Sequence, residues 1–367
     1  LSDITDPDLG VVLSLESMLE ARSYHPEDSL YQFEKHLNER ILSRLKFLCT
    51  ERSSDFKKAK RQAFRKYFDS SVHKWTVPGL YLAFLTELEE QDSSLDFSAT
   101  KAGVSKGKTD VYDAAAFGLI YRRIFQKQDQ DVFSQIFIDE AQDFGETVYY
   151  VLKQMLHDCY FTIMGDVSQN IRYETGMNDW EQLKEAMFDS PKDSFYLLLK
   201  SYRNTIEISR FAGQVLQRAS QVGYQIDPVI RHGQPVSILQ AEPSGLFYQL
   251  QETLRHVREK KFETIAVICR TPEEAAELKS GLGIPLEEDD NSFHNGVMVL
   301  PVSLTKGLEF DCVILWKPDE DHYQDHPKDA KLLYVAITRA LHELYLLTDR
   351  PLTPLLLTST GSESVLK

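Results

Sequence analysis

The sequence predicts an α/β protein built on parallel sheet, with a helical insertion ahead of it. Three observations point there. Valine- and isoleucine-rich runs alternate with helix-length amphipathic segments through the carboxyl-terminal half, the pattern of strands joined by covering helices. Near the middle, Val132-Phe133 and Ile136-Phe137-Ile138 form an apolar run that reads as a strand buried on both faces and ends in Asp139-Glu140. Residues from about Leu30 to Leu88 are instead charged and helical in period, without strand-like alternation.

In chain order, residues 1–108 read as a helical arm and connector. Its most basic stretch runs from Arg52 to Lys66, where Lys57, Lys58, Lys60, Arg61 and Arg65 lie among Phe56, Phe64, Tyr67 and Phe68. Bases stack on aromatics beside cations, so this could touch nucleic acid. The blander reading, an amphipathic helix with a solvated basic face, is the simpler one. Gln91 to Lys108 is a polar connector. Residues 109–193 read helix, strand, helix, strand, beginning with an apolar stripe of Phe117, Ile120, Tyr121 and Ile124.

Residues 194–350 form a second α/β segment. A helix from about Thr205 carries Ile208, Phe211, Ala212, Val215 and Leu216 on one face, and strands are expected near Val236-Leu239, Thr264-Cys269, Val297-Pro301, Cys312-Trp316 and Leu344-Leu347. Leu286-Asn291 and Pro318-His326 read as acidic surface loops. His322, Asp325 and His326 have helix-like metal spacing, but Pro318 and Pro327 favour a loop without a metal. Residues 351–367 read as a frayed tail.

The 367 residues are 42% hydrophobic, enough for two or three domains. No apolar run approaches the roughly twenty residues of a membrane span, so a soluble, cytoplasmic protein is expected. Cys49, Cys159, Cys269 and Cys312 are scattered, which suggests reduced thiols and no cysteine-bound zinc. A net charge of −15 argues against a stand-alone duplex binder, since such affinity rests on neutralising phosphates.

Paired acids at a strand's carboxyl end can divide the labour of hydrolysis, one steadying magnesium and the next polarising water. In isolation they equally suit a helix N-terminus. Their company decides. After Asp139-Glu140-Ala141-Gln142-Asp143 come, in order, Gly165-Asp166-Val167-Ser168-Gln169-Asn170-Ile171, Leu199-Lys200-Ser201-Tyr202-Arg203-Asn204-Thr205, Ile265-Ala266-Val267-Ile268-Cys269-Arg270, Thr305-Lys306-Gly307-Leu308-Glu309-Phe310-Asp311 and Leu333-Tyr334-Val335-Ala336-Ile337-Thr338-Arg339-Ala340. From roughly Tyr112 to Leu347 this resembles the UvrD/Rep branch of superfamily 1 helicases. Val111-Tyr112-Asp113-Ala114-Ala115-Ala116, Pro301, and Thr338-Arg339-Ala340-Leu341-His342-Glu343-Leu344 look closest to HelD-type proteins, helicase-like ATPases that bind bacterial RNA polymerase. Ser303 stands where DNA-translocating relatives commonly have histidine.

The resemblance implies two RecA-like motor domains with ATP and Mg2+ between them, the first incomplete here. It assigns magnesium to Asp139, water activation to Glu140, γ-phosphate sensing to Gln169 and arginine fingers to Arg203 and Arg339. Glu309 would hold the ribose, while Lys306 and Gly307 shape the adjoining turn. Such a chain is expected to be monomeric, to avoid membranes, and to bind RNA polymerase. A single-stranded DNA translocase and a non-hydrolysing interaction module remain the alternatives.

A phosphate loop is also needed, and Ala102-Gly103-Val104-Ser105-Lys106-Gly107-Lys108-Thr109 satisfies a relaxed pattern. No apolar strand precedes it, so Thr109 or Asp110 is expected to cap a helix instead. The chain then reads as the carboxyl-terminal portion of a longer protein.

Overall fold

The computed structural model describes residues 2–68, 75–126, 133–156, 159–198, 200–219, 227–228, 231–284 and 295–357. The chain divides into two compact units, one of residues 1–137 and 146–162, the other of residues 138–145 and 163–367.

The first unit opens with an antiparallel hairpin, β1 (Ile4–Asp6) and β2 (Gly10–Leu13). Helices α1 (Leu15–Tyr24), α2 (Leu30–Leu48), α3 (Ser54–Phe64), α4 (Val77–Gln91), α5 (Ser98–Ser105) and α6 (Val111–Ile120) follow. Their starts are chemically marked. Ser14, Ser29, Ser53, Thr76 and Asp110 each accept a backbone N–H of the first turn, and Ser29 with Gln32 completes a capping box. On α2, Phe33, Leu37, Ile41 and Leu45 recur at helical spacing and bury against Ile4, Val12, Met18 and Phe64. The helical period of the arm therefore translates into one core stripe; the opening hairpin went unanticipated.

The basic stretch is largely the amphipathic helix α3. Phe64 is buried and Tyr67 stacks on it, while Lys60 is held by Asp6 and Asp8, each at 2.7 Å. The glycine-rich segment is no phosphate loop. Ala102 to Ser105 lie in α5, Gly107 turns the chain at φ +71°, and Asp110 caps α6 with Asp113 at the reciprocal position. Tyr121, expected in the α6 stripe, is exposed, because a π-helical turn over Tyr121–Phe125 rotates the register.

The chain continues through β3 (Gln135–Ile138), α7 (Glu146–Met155) and β4 (Tyr160–Ile163). Val148, Tyr149 and Val151 bury on α7. β3 is not buried on both faces as expected. It pairs with β4 alone among the described residues, and Phe133 and Phe137 are 58% and 66% exposed. Val132 lies outside the described residues.

In the second unit, α8 (Trp180–Met187), β5 (Lys200–Ser201), α9 (Ile206–Ala219) and β6 (Asp227–Pro228) precede the main sheet. Its strands and helices are β7 (Ser237–Gln240), α10 (Leu246–Glu259), β8 (Thr264–Cys269), α11 (Pro272–Leu282), β9 (Gly296–Pro301), β10 (Phe310–Trp316), α12 (Pro327–Thr338) and β11 (Ala340–Thr348). All five pair in parallel, in the order β7-β11-β10-β8-β9. Strand residues alternate between two cores: Ala266, Ile268, Val313 and Leu315 pack with α9 and α12, while Ile265, Val267, Cys312 and Ile314 pack with α10 and α11. This is the doubly covered parallel sheet the sequence predicts. Cys269 and Cys312 are buried within it, and desolvation pushes both thiols up.

Two expected surface features are built in. The Pro318-His326 segment buries Asp319 and Tyr323, since it closes the carboxyl ends of β8 and β10. His322 sits between Asp319 (2.6 Å) and Glu274 (2.7 Å), so both ring nitrogens are engaged, and His326 caps α12. Beyond Pro351 the chain is no frayed tail through Leu357: Leu352 bridges Asp319, and Leu355 and Leu356 join the α9/α12 core. The Leu286-Asn291 stretch and residues 358–367 lie outside the described residues.

Candidate functional site

The amino ends of β10 and β11 gather most of the predicted residues. Arg339 follows the last turn of α12, every residue of which from Asp329 to Thr338 is buried. That burial fixes the guanidinium, only 1% exposed, among backbone acceptors: Nε donates to Val335 O (3.1 Å) and Nη1 to Leu308 O (3.1 Å). Nη2 donates to Gln169 Oε1 at 2.6 Å. Burial, then the like charge of Arg203, press Arg339 below the ordinary arginine value, and Glu309 and Glu140 act oppositely.

Gln169 is itself oriented. Its Nε2 donates to Asp166 Oδ2 (2.8 Å), while Asp166 caps the short turn Val167–Gln169. The following loop is pinned by Asn170, whose Nδ2 donates to Met177 O and Asn178 Oδ1, both at 3.0 Å. Lys331, on α12, donates to the same Asn178 Oδ1 at 2.6 Å. Burial holds the Lys331 ammonium down at about 8, partly offset by Asp166 and Asp179.

Arg203 pairs with Glu309 at 2.5 Å, both partners substantially exposed. Gly307, at φ +76°, lets the chain turn between Lys306 and Glu309. Lys306 reaches the acidic motif, paired with Asp143 and lying 3.4 Å from Glu140 Oε2. Glu140 stands in the left-handed region at φ +51°, uncommon for a non-glycine residue and frequent where a site dictates backbone shape. Its Oε2 accepts from Gln142 Nε2 at 2.5 Å. Asp139 is exposed, and its Oδ1 accepts the Glu140 N–H at 2.8 Å.

Three residues escaped individual assignment. Gln142, fully buried, bridges the motifs by accepting the Asp166 N–H at 2.9 Å while donating to Glu140. Gly165 permits that bridge, because a Cβ there would meet Gln142 Oε1 at 2.4 Å. Asn204 donates to Thr338 O (2.9 Å) and Ala340 O (2.6 Å), clamping the backbone around Arg339. All lie inside the quoted motifs, so motif membership was the signal that could have found them. Asp143 was visible only as the last acid of its run.

The cluster therefore holds Glu140, Lys306, Gln169, Arg203, Glu309 and Arg339 together, with Asp139 at its exposed margin. Its cations are matched by carboxylates they could exchange for phosphate oxygens. Asp139 suits Mg2+, which typically takes one or two protein carboxylates and completes its shell with water and phosphate.

Residues 296–347, which span β9 to β11, match the family of UvrD-like helicase C-terminal domains. Among solved structures, the C-terminal domain of a possible DNA helicase from Lactobacillus plantarum WCFS1 is 31% identical, with a TM-score of 0.35; the match covers 42% of this chain and 92% of that one. The helicase of PRRSV (14% identity, TM-score 0.33) and arterivirus nonstructural protein 10, a helicase (18%, 0.33), are matched over 58% and 57% of this chain and 34% and 38% of their own. No curated protein sequence matches the chain. The sheet and its helices fit a RecA-like fold. No helix among the described residues is long and apolar enough to cross a membrane.

Proposed function

We propose that this chain, which carries a UvrD-like helicase C-terminal domain, is the nucleotide-responsive part of an ATP-driven helicase-like motor. The observation behind this reading is Arg339. A buried guanidinium is expensive to maintain, and two of its three nitrogens donate to backbone carbonyls while the third donates to Gln169. A charge held that rigidly beside Glu140 and Arg203 suits transition-state stabilisation at a γ-phosphate.

In this reading Asp139 would hold Mg2+, which supplies charge neutralisation between the terminal phosphates. Glu140, fixed by Gln142, would orient water and take its proton as the water oxygen bonds to the γ-phosphorus and the bond from that phosphorus to the departing ADP oxygen breaks. Arg203 leaves Glu309 for phosphate, freeing that carboxylate for the ribose hydroxyls. Gln169 reports the outcome through its bond to Arg339. Turnover further requires a phosphate loop, which Ala102 to Thr109 does not provide, and we assign it to a polypeptide that brings such a loop to Asp139.

For the output we favour a HelD-like factor acting on RNA polymerase. At the carboxyl ends of β8 and β10 the cations Arg270 and His322 are engaged by Asp329, Glu274 and Asp319, and Glu320 and Asp321 are exposed there, a poor surface for phosphates. Ser303 and the net charge agree with it. Labelled chain should bind core RNA polymerase at near-physiological salt and ignore single-stranded DNA. Salt-sensitive DNA binding without polymerase binding would instead make it a translocase. For the nucleotide site, magnesium and a fluorescent ATP analogue should bind weakly and lose affinity in Arg203→Ala and Arg339→Ala; identical binding in those variants would overturn the assignment.

A further inference from the structure

The turn between α1 and α2 carries a cluster that the motor reading leaves unused. His25 ends α1, Asp28 lies in the turn, and His36 stands on the second turn of α2. One ligand-capable atom from each lies within 4.8 Å of the other two, and the two imidazole centroids are 5.0 Å apart.

Asp28 Oδ2 and His36 Nδ1 approach to 2.9 Å, an ion-pair distance when the ring is protonated, yet these two atoms, both shielded from solvent, form no hydrogen bond. At that separation the failure is angular: the oxygen lies off the axis along which a ring N–H would point. With the ring neutral and its proton on Nε2, two lone-pair atoms so close are stable when both converge on a cation beside them. The second imidazole of His25 supplies a third donor on that side. Two imidazoles with one carboxylate are a donor set for a divalent ion of the zinc type, with nitrogen and oxygen ligands near 2.0–2.2 Å by general geometry.

We propose that His25, Asp28 and His36 form a zinc-class metal site bracing the α1–α2 turn, with an open position for water. The surroundings allow it. Arg22 donates to the Asp28 carbonyl (2.8 Å) and lies over the Phe33 ring, which leaves the carboxylate to the histidines. Ser29 separately caps α2, so the fold of the turn does not depend on the ion. The site adds a cross-link between two helices already in contact.

The test is calorimetric titration of zinc chloride into tag-free chain stripped with chelator, alongside His25→Ala, His36→Ala and the double variant. The expected result is saturable binding of a single ion, weakened in each single variant by at least the roughly tenfold that loss of even an outer partner costs. Cobalt(II) should give visible ligand-field bands that the double variant lacks. Circular dichroism distinguishes lost ligation from lost fold, and His25, being exposed, is the variant least able to disturb packing. Absence of saturable binding to the wild type, or equal affinity in the double variant, overturns the proposal.

Discussion

The two ends of the main sheet use charge in opposite ways. At the carboxyl ends of β8 and β10, Arg270, Glu274, Asp319, His322 and Asp329 consume one another: Arg270 pairs with Asp329 at 2.9 Å and donates to His322 O at 3.0 Å. At the amino ends of β10 and β11, Arg203–Glu309 is an exposed pair a polyanion could displace, while the largely buried Lys306 holds Asp143 and lies near the exposed Glu140. Mutual saturation makes a structural lock. An exposed, exchangeable pair beside one immobile arginine makes a binding site, and the difference lies in what else each charge can reach.

The largest expected effect separates the two ends by activity. In a hydrolysing assembly, Arg339→Ala should lower turnover by about 10³-fold or more, in line with arginine fingers generally, and Glu140→Gln should abolish it. Neither Arg270→Met nor Asp329→Asn should change turnover per folded molecule. Equal losses at both ends would erase the comparison.

Stability should invert it. Asp329→Asn leaves Arg270 partly buried without its partner, and about 2–4 kcal/mol should be lost in urea unfolding. Arg203→Ala, at an exposed pair, should stay within about 1 kcal/mol of wild type.

Two titrations sharpen the contrast. Bonding to Glu274, with help from Asp319 and against burial, raises His322 from 6.5 to about 9. The folded value lies above the unfolded one, so its contribution is complete below about pH 6.5 and vanishes as pH rises through about 9. Allowing for solvent screening it is on the order of 1–2 kcal/mol, and the gap between wild type and His322→Gln should close over that window. Lys331 behaves oppositely: burial lowers it to about 8, so its charge opposes folding at neutral pH and the penalty fades between about 8 and 10.5. Lys331→Met should therefore stabilise near pH 7 by on the order of 1 kcal/mol, net of the lost Asn178 bond, with a smaller gain at higher pH.

Gly307→Ala has the smallest expected effect, about 1 kcal/mol of strain at φ +76°, with a modest fall in nucleotide affinity. Thermal melts and the fluorescent-nucleotide titration check it.

Much of this was legible because strands buried on both faces announce themselves. Thr264–Cys269 was placed to the residue, and the other four sheet strands within a few. The opening hairpin was missed because Ile4–Asp6 and Gly10–Leu13 are too short to show alternation. β3 was misread because an apolar run shows a preference for cover and cannot reveal that only β4 adjoins it among the described residues. Within the site, ordered motifs gave the residues but not their partners. The Lys306–Asp143 and Arg339–Gln169 pairs join positions far apart in sequence, and no local pattern encodes them.

Helix α12 has a mechanical consequence. About 18 Å long by its residue count, and enclosed in side chains from Asp329 to Thr338, it can neither bend nor roll without disturbing a close-packed surround. It touches the same loop twice, Lys331 on Asn178 and the adjoining Arg339 on Gln169. Gln169 and Asn178, nine residues apart, are thus fastened to one stiff rod, and the segment between them is held to the helix as one part.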